Sequence, residues 1–238
     1  MRALHVLPTR TAGAAENMAL DFLLLQRYPD AVPRFRHYEW RAPAFTFGYS
    51  QKIAFVRSNL PNDAPLELCR RPTGGGIVDH RNDWTYALVL PRGHPLYDER
   101  ATQSYRLVHE SLASTLVAIG QPAEVKTAFA PEAPCVEEPL SGVCFQRAEL
   151  YDVVNAKTGA KIAGAAQKRN KHGLLFQGSI EKSSVATLDW ETFGDRFTQA
   201  LAKILGVDPV ETAWPDLNED EVAGLIEQYS DPQWIDYR

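Results

Sequence analysis

Long apolar runs are missing from this chain of 238 residues. No stretch reaches the roughly 18–20 consecutive apolar residues that a membrane-spanning helix requires. The apolar stretch near the N-terminus, LDFLLL, is short and has Glu16 and Asp21 inside or beside it, which is atypical of a secretory signal. We therefore expect a cytoplasmic protein that has no membrane partner.

Cysteine is scarce, with Cys69, Cys135 and Cys144 as the three thiols. Their number is odd and no two form a C-x-x-C pair, so the sequence predicts neither a disulfide framework nor a zinc site. The six histidines also lack the spacing of metal ligands. We therefore expect free thiols and no bound metal.

An excess of positive charge is absent too, since the formal net charge is -5. This balance argues against a nucleic-acid partner, which would favour a basic surface. A composition of 45% hydrophobic and 23% charged residues is that of a soluble globular protein. Because we find no internal repeat and no low-complexity tract, we expect one domain over residues 1–238, and a monomer.

Periodicity predicts an α+β fold with a mostly antiparallel or mixed central sheet flanked by helices. Helical spacing of apolar residues predicts helices over about 13–27, with Thr11 as a possible N-cap, and over about 100–119. Strand signals include RFRHYEW, the continuous apolar run WTYALVLP, the pair AELYDVV and AKIAGAAQ joined as a hairpin, and GLLFQGSI. Between them, KTAFAPEAPCVEEPLSGVCF predicts a long loop of the kind that often covers a functional site.

Residues 70–80, RRPTGGGIVDH, hold three consecutive glycines beside two arginines. Successive backbone amides without side chains can cradle a polar group, and an arginine fork suits a carboxylate or phosphate. The spacing matches neither a Walker loop nor GxGxxG. Of two adjacent strand residues only one can face a site, so we expect the other arginine to have a structural role. A tight turn between two strands is the alternative interpretation.

Lys161 begins AKIAGAAQ, where small residues leave room for a flat or chain-like ligand, although a lysine on an exposed edge strand is the commoner case. Cys144 ends the proline-rich loop, and a nucleophilic thiol needs a nearby cation. Local context alone does not rank the three cysteines. His80, which follows the glycine loop within one short strand, is the histidine with the best claim to a site.

Three ordered motifs together resemble the superfamily of lipoate–protein ligases, biotin ligases and octanoyltransferases. They are ENMALDFLLL with RFRHYEWRAPAFTFGYSQ, then RRPTGGGIVDH, then KIAGAAQKRNKHGLLFQGSI. The resemblance covers a core of about residues 12–190, leaving a helical C-terminal segment of about 191–238. It implies a sheet flanked by helices, like the catalytic core of biotin ligases and class II aminoacyl-tRNA synthetases, and transfer of an acyl group to a carrier-domain lysine.

Within the superfamily the chain most resembles the cysteine-dependent octanoyltransferases, because Cys144-Phe145, Tyr151-Asp152 and Lys161 follow one another in that order. This resemblance implies Cys144 and Lys161 as catalytic residues, no cofactor, octanoyl-acyl carrier protein as donor, and lipoyl domains or glycine-cleavage H-protein as acceptors. It implies a substrate channel lined by Arg71, Thr73, Gly74, Gly75, Gly76, His80, Gly164 and Ala165.

Two positions depart from that branch. Gly76 stands where the transferases usually have arginine, as it does in the ligases, and Gln177 stands where a histidine usually precedes the Gly-Ser pair. The alternative is therefore an ATP-dependent lipoate–protein ligase that requires Mg²⁺ and forms lipoyl-adenylate, with Cys144 incidental. A non-catalytic acyl- or biotin-binding protein is a third interpretation.

Overall fold

The computed structural model describes residues 3–61, 65–128 and 148–237. Cys135, Cys144 and most of the proline-rich segment lie outside these ranges. Within them the strands are β1 (Ala3–Ala12), β2 (Arg34–Trp40), β3 (Ala44–Phe47), β4 (Glu67–Arg70), β5 (Ile77–Asp79), β6 (Asp83–Pro91), β7 (Ala123–Val125), β8 (Val153–Asn155), β9 (Lys161–Asn170), β10 (Gly173–Glu181) and β11 (Asp208–Glu211). The helices are α1 (Ala14–Gln26), α2 (Ile53–Ser58), α3 (Pro95–Asp98), α4 (Ala101–Ala118), α5 (Trp190–Leu205), α6 (Glu219–Ser230) and α7 (Pro232–Ile235).

Eight of these strands form one large sheet in the order β11-β1-β2-β6-β10-β9-β8-β7. The pairings of β1 with β2 and with β11 are parallel, and the other pairings of this sheet are antiparallel. The predicted mixed, mostly antiparallel sheet is therefore confirmed. The predicted hairpin is present as β8 and β9, and Lys161 is the first residue of β9.

The central strand β6 is buried along its whole length, and its side chains alternate between two cores. Trp84, Tyr86, Leu88 and Leu90 pack with α4 and α5 on one face of the sheet, whereas Ala87 and Val89 join α1 on the other. This is the period of two that a strand imposes. The sheet is thus covered by helices on both faces, with aromatic residues concentrated on the face toward α4 and α5.

The remaining strands form a small sheet in the order β4-β3-β5, on the same side of the large sheet as α1. The short α7 and part of α6 pack against β4. The segment from residue 191, predicted to be helical, does contain α5, α6 and α7, but it also contains β11. That strand is short and exposed throughout, so it carries no apolar alternation that could predict it. No helix among the described residues combines the length and apolar character needed to cross a bilayer.

Helix α4 carries a histidine deep in the interior, since His109 is only 1% exposed. Its Nδ1 donates to the carbonyl of Tyr151 at 2.7 Å, and its ring contacts Tyr105 edge-on. Burial lowers the pKa of His109 from the ordinary 6.5 to about 4. The neutral imidazole is therefore the form that the fold accepts at pH 7.

Gly178 on β10 lies opposite Tyr86 on β6, and a Cβ at this position would approach the Tyr86 ring to 2.2 Å. Because that ring is fully buried and rigid, we expect Gly178→Ala to lower the free energy of unfolding by about 1–3 kcal/mol. Gly224→Ala in α6 is the matched control, because a Cβ there meets no atom within 4 Å. It should raise stability by up to about 1 kcal/mol. Urea denaturation of both variants measures the contrast, and equal effects would contradict the packing argument.

The buried histidine predicts a pH dependence of stability. Between about pH 4 and 6.5 the unfolded chain binds a proton at His109 that the folded chain does not, so the free energy of unfolding should fall as the pH is lowered. The full contribution is about 3 kcal/mol, reached below pH 4. His109→Gln keeps a donor for the Tyr151 carbonyl and does not titrate, so urea midpoints of this variant should vary less over that pH range. An unchanged slope would show that His109 is not responsible.

Candidate active site

A groove lies between the small sheet and the α1 face of the large sheet. About 480 Å³ of space not filled by protein atoms lies in it, part of which is open to solvent. Its walls are largely apolar, with a few polar groups. The lining residues are Met18, Tyr38, Trp40, Thr46, Arg71, Gly75, Val78, His80, Thr85, Lys161, Gly164, Ala165, Ala166, Gln177, Gly178 and Ser179.

The glycine loop connects β4 to β5 and forms one wall. Arg71 holds it from within, because one terminal nitrogen of its guanidinium donates to the carbonyls of Gly74 and Gly76, both at 2.9 Å. Gly75 has a φ of 87°, a left-handed conformation that favours glycine. Gly48 on the neighbouring loop also must lack a side chain, since a Cβ there would lie 2.0 Å from the Gly75 carbonyl oxygen. The absence of a side chain at Gly48 therefore allows close packing of backbone on backbone, whereas a Cβ at Gly74 would meet no atom within 4 Å.

Arg70, the adjacent arginine, has a different role. It is fully buried, and its guanidinium donates to the carbonyls of Tyr49, Gln51, Trp234 and Ile235 at 2.7–3.0 Å. These contacts join β4 to α7 at the C-terminal end of the described chain. Arg71 faces the groove and Arg70 faces away from it, as expected for adjacent residues at the end of a strand.

His80 is buried at the end of β5 and links the two sheets. Its Nδ1 is 2.6 Å from Oδ2 of Asp83, and its Nε2 is 2.7 Å from the hydroxyl of Thr46, which also accepts a hydrogen bond from Arg71. Burial tends to raise the pKa of Asp83, but His80 and the donating hydroxyls of Ser179 and Thr85 outweigh it, so this pKa is lowered. The Gly-Ser pair of the third motif thus supplies a hydroxyl that helps to hold Asp83 ionised beside His80.

A second polar chain reaches the glycine loop from α1. Thr73 donates to Oε1 of Gln177 at 2.7 Å, and Nε2 of Gln177 donates to Asp21 at 2.7 Å. Asp21 in turn forms a fully buried ion pair with Arg36, whose terminal nitrogen is 2.6 Å away. Gln177 therefore uses both ends of its amide, accepting from the loop and donating to a carboxylate.

Lys161 enters the groove from the opposite wall. Its ammonium nitrogen is 2.7 Å from Oδ2 of Asp152, and both side chains are buried. Gly164 leaves the space for this pair, because a Cβ at that position would lie 2.8 Å from Cε and Nζ of Lys161. The backbone amide of Ala165 donates to the hydroxyl of Tyr105 at 3.0 Å, which brings a side chain of α4 to the same wall.

The structure thus brings six of the predicted residues to one groove: Arg71, Gly75, His80, Lys161, Gly164 and Ala165. Thr73 lies behind the groove, bonded to Gln177, which lines it. Gly74 and Gly76 are not among the lining residues, and their carbonyls are turned to Arg71. Cys144 lies outside the described residues.

The described cysteine is a poor nucleophile. Cys69 on β4 is 1% exposed, and burial raises the pKa of its thiol to about 12. Packing therefore makes the Cys69 thiol inert. In the described parts of the chain, no group of three or more His, Cys, Asp or Glu side chains is arranged to hold a metal ion.

Sequence reasoning missed several residues of this site. Local sequence patterns mark Asp152 only as part of the order of motifs. They give no role in the site to Tyr105, Asp83 or Asp21. Asp21 lies on α1 and Tyr105 on α4. The helical periodicity of these segments is explained without a functional role for either residue. A polar residue at a buried helix position was the available signal for Asp21, since Asp is rarely buried without a partner.

Curated relatives match most of this chain. The octanoyltransferase LipM of Bacillus cereus is 36% identical over 172 residues, which are 70% of this chain and 60% of that protein. LipM of Halalkalibacterium halodurans is 32% identical over 194 residues, covering 80% of this chain and 68% of that protein. The chain thus spans about 60% of the length of the first of these relatives.

Solved structures share the fold. A bi-partite lipoate protein ligase from Thermoplasma acidophilum superimposes with a TM-score of 0.73 at 19% identity, covering 100% of this chain and 98% of that one. A lipoate-protein ligase A bound with ATP gives a TM-score of 0.73 at 18% identity, covering 99% and 98%. The family model of the lipoyl protein ligase A/B catalytic domain matches residues 13–205. Together with the LipM identities, that match shows that the chain belongs to the lipoyl protein ligase A/B catalytic domain family.

Proposed function

We propose that the protein is a cysteine-dependent octanoyltransferase. Cys144 takes an octanoyl group from acyl carrier protein, and a lysine of a lipoyl domain or of glycine-cleavage H-protein receives it as an amide. The observation that carries this proposal is the apolar groove in which the buried Lys161 lies, in a chain 32–36% identical to octanoyltransferases named LipM.

The walls of the groove favour a chain-like acyl group as substrate. Met18, Tyr38, Trp40 and Val78 offer apolar surface, and the small side chains of Ala165 and Ala166 leave space beside it. Burying an aliphatic chain contributes roughly 0.8 kcal/mol per CH₂, so an eight-carbon chain gains several kcal/mol. Two polar side chains that line this space, Gln177 and His80, are engaged with protein partners.

In the first half of the reaction, the Cys144 thiolate attacks the thioester carbonyl of octanoyl-acyl carrier protein. The carbon–sulfur bond to the carrier breaks, and the carrier thiolate leaves and takes up a proton. The Lys161 ammonium stabilises the negative charge that develops on the carbonyl oxygen. Cys144 and Asp152, the partner of Lys161, are separated by only eight positions in the sequence, which supports the meeting of thiol and ammonium.

In the second half, the neutral amine of the acceptor lysine attacks the octanoyl-cysteine thioester. A carbon–nitrogen bond forms, Cys144 leaves as thiolate, and the amine nitrogen loses a proton to become an amide. Because the thioester is already activated, the reaction needs neither ATP nor Mg²⁺. A ligase would instead need both to activate a free carboxylate.

Substitution of Cys144 tests this proposal. Incubated with octanoyl-acyl carrier protein and no ATP, the wild-type protein should gain the mass of one octanoyl group, removable by hydroxylamine. Cys144→Ser should lose transfer to a lipoyl domain, because a serine hydroxyl beside an ammonium is a far weaker nucleophile. Cys69→Ala is the matched control and should keep the activity, since Cys69 is buried with a pKa of about 12.

Two outcomes would overturn the proposal. If Cys144→Ser modifies the lipoyl domain undiminished, and only with free lipoate, ATP and Mg²⁺, the protein is a ligase. If wild-type protein binds the acyl group but modifies no acceptor under either set of conditions, it is a binding protein.

The space beside Lys161 gives a second test. Gly164→Ala places a Cβ where Cε and Nζ of Lys161 now lie, and the flexible lysine tip must move. We expect the variant to melt within a few degrees of wild type, whereas octanoyl transfer falls about tenfold or more, because displaced catalytic groups lose orientation. Gly224→Ala serves as the control in the same assay. Full activity in Gly164→Ala would show that the position of the ammonium is not critical.

A further inference from the structure

Lys161 has a buried carboxylate as its partner, and that carboxylate is itself held by groups outside the groove. Oδ1 of Asp152 accepts a hydrogen bond from the hydroxyl of Tyr105 at 2.5 Å. Oδ2 accepts one from the backbone amide of Glu149 at 2.7 Å, in addition to the Lys161 ammonium. Both oxygens of Asp152 are thus engaged, so its orientation is fixed.

The direction of the hydrogen bond at Tyr105 is determined by its other partner. The backbone N–H of Ala165 can only donate, so the Tyr105 oxygen accepts this bond and its own hydrogen is directed to Asp152. Burial and the neighbouring Asp152 raise the pKa of Tyr105 well above its ordinary value, so the phenol keeps this hydrogen. A chain of polar contacts therefore runs from the Ala165 amide on β9 through the Tyr105 hydroxyl on α4 and the Asp152 carboxylate to Lys161.

The backbone before Asp152 supports the same arrangement. Tyr151 has a φ of 69°, which is unusual for a residue with a side chain and costs on the order of 1–3 kcal/mol. Its carbonyl accepts the hydrogen bond of His109, and its amide donates to the backbone carbonyl of Lys126 at 2.8 Å. A strained residue persists where its surroundings hold it, and here it presents Asp152 to Lys161.

We propose that Asp152 and Tyr105 are positioning residues for Lys161: they fix its side chain and direct its nitrogen at the reacting carbonyl. This inference rests on the acyl transfer proposed above. Neither residue bonds to the substrate. Among the described residues, the titratable groups near Lys161 include Asp152, Tyr105 on α4 and the neutral His109, and Asp152 is the anionic one of these three.

Two substitutions separate the contribution of the Asp152 charge from that of the Tyr105 hydrogen bond. Asp152→Asn removes the charge, and we expect kcat for octanoyl transfer to fall about tenfold or more, because a lysine without its ion-pair partner loses its orientation. Tyr105→Phe keeps the charge and removes one hydrogen bond to it, and should lower kcat about fivefold. The KM for octanoyl-acyl carrier protein should stay within about twofold in both. Tyr97→Phe, which loses a hydroxyl bond to the Asn170 carbonyl away from the groove, is the matched control.

A second measurement does not depend on transferase activity. Dilute p-nitrophenyl acetate acetylates a neutral amine with release of p-nitrophenolate and a proton, and peptide mass spectrometry reports the modification of Lys161. Asp152→Asn should be acetylated at Lys161 about tenfold faster than wild type at the same pH, since the lysine nitrogen is then no longer held in a buried ion pair. Tyr97→Phe should be acetylated at the wild-type rate.

The two measurements distinguish the proposals. If wild type transfers octanoyl groups but Asp152→Asn keeps its kcat, or if the acetylation of Lys161 is no faster in that variant, the positioning role is wrong. If wild type transfers nothing, the proposed function is wrong, and the acetylation rates alone still decide whether Asp152 holds the ammonium. A folded Tyr105→Phe with unchanged kcat would remove Tyr105 from the role.

Discussion

A buried ion pair between Asp21 of α1 and Arg36 of β2 organises the groove. Both side chains are fully buried at a separation of 2.6 Å, and removing one partner from such a pair typically costs about 3–5 kcal/mol. Asp21 also accepts from Gln177 on β10, which accepts from Thr73 of the glycine loop. One carboxylate therefore fixes the helix, two strands of the large sheet and the loop that faces them.

The other side of the loop depends on a second polar chain, so the groove lies between two sets of groups that are hydrogen-bonded to one another. Arg71 bonds Thr46, Thr46 bonds His80, and His80 bonds Asp83. Buried polar groups are mostly paired in folded proteins, and a hydrogen-bonded network of this kind favours one geometry. The groove can consequently present apolar walls to a ligand, because the polar side chains in its lining bond to the protein.

Local sequence patterns predict the positions of helices and strands. They do not predict contacts between residues that are distant in the sequence. The predicted helix over about 13–27 agrees with the bounds of α1 within about a residue. The predicted N-cap, Thr11, is wrong: the N-cap is Gly13, and the Thr11 hydroxyl donates to the carboxylate of Glu39. The first amide of the helix donates to the carboxylate of Glu67, 53 positions away, and no local pattern could reveal that. The same limit applies to Lys161: its small neighbours indicated space for a ligand, whereas the partner Asp152 and its support from α4 depend on tertiary packing. Residues that act through tertiary contacts are thus the ones that sequence reasoning omits.

The two arginines of RRPTGGGIVDH show how packing changes the meaning of a motif. An arginine fork beside glycines indicates anion binding, but both guanidinium groups here bond oxygens of the protein itself. Arg70 secures α7, and Arg71 turns the carbonyls of Gly74 and Gly76 toward itself. A guanidinium is well suited to this task because its planar donors can serve several carbonyls at once without losing charge. The motif therefore specifies the shape of one wall of the groove, and the catalytic role that we propose falls to the opposite wall, where Lys161 and Asp152 lie.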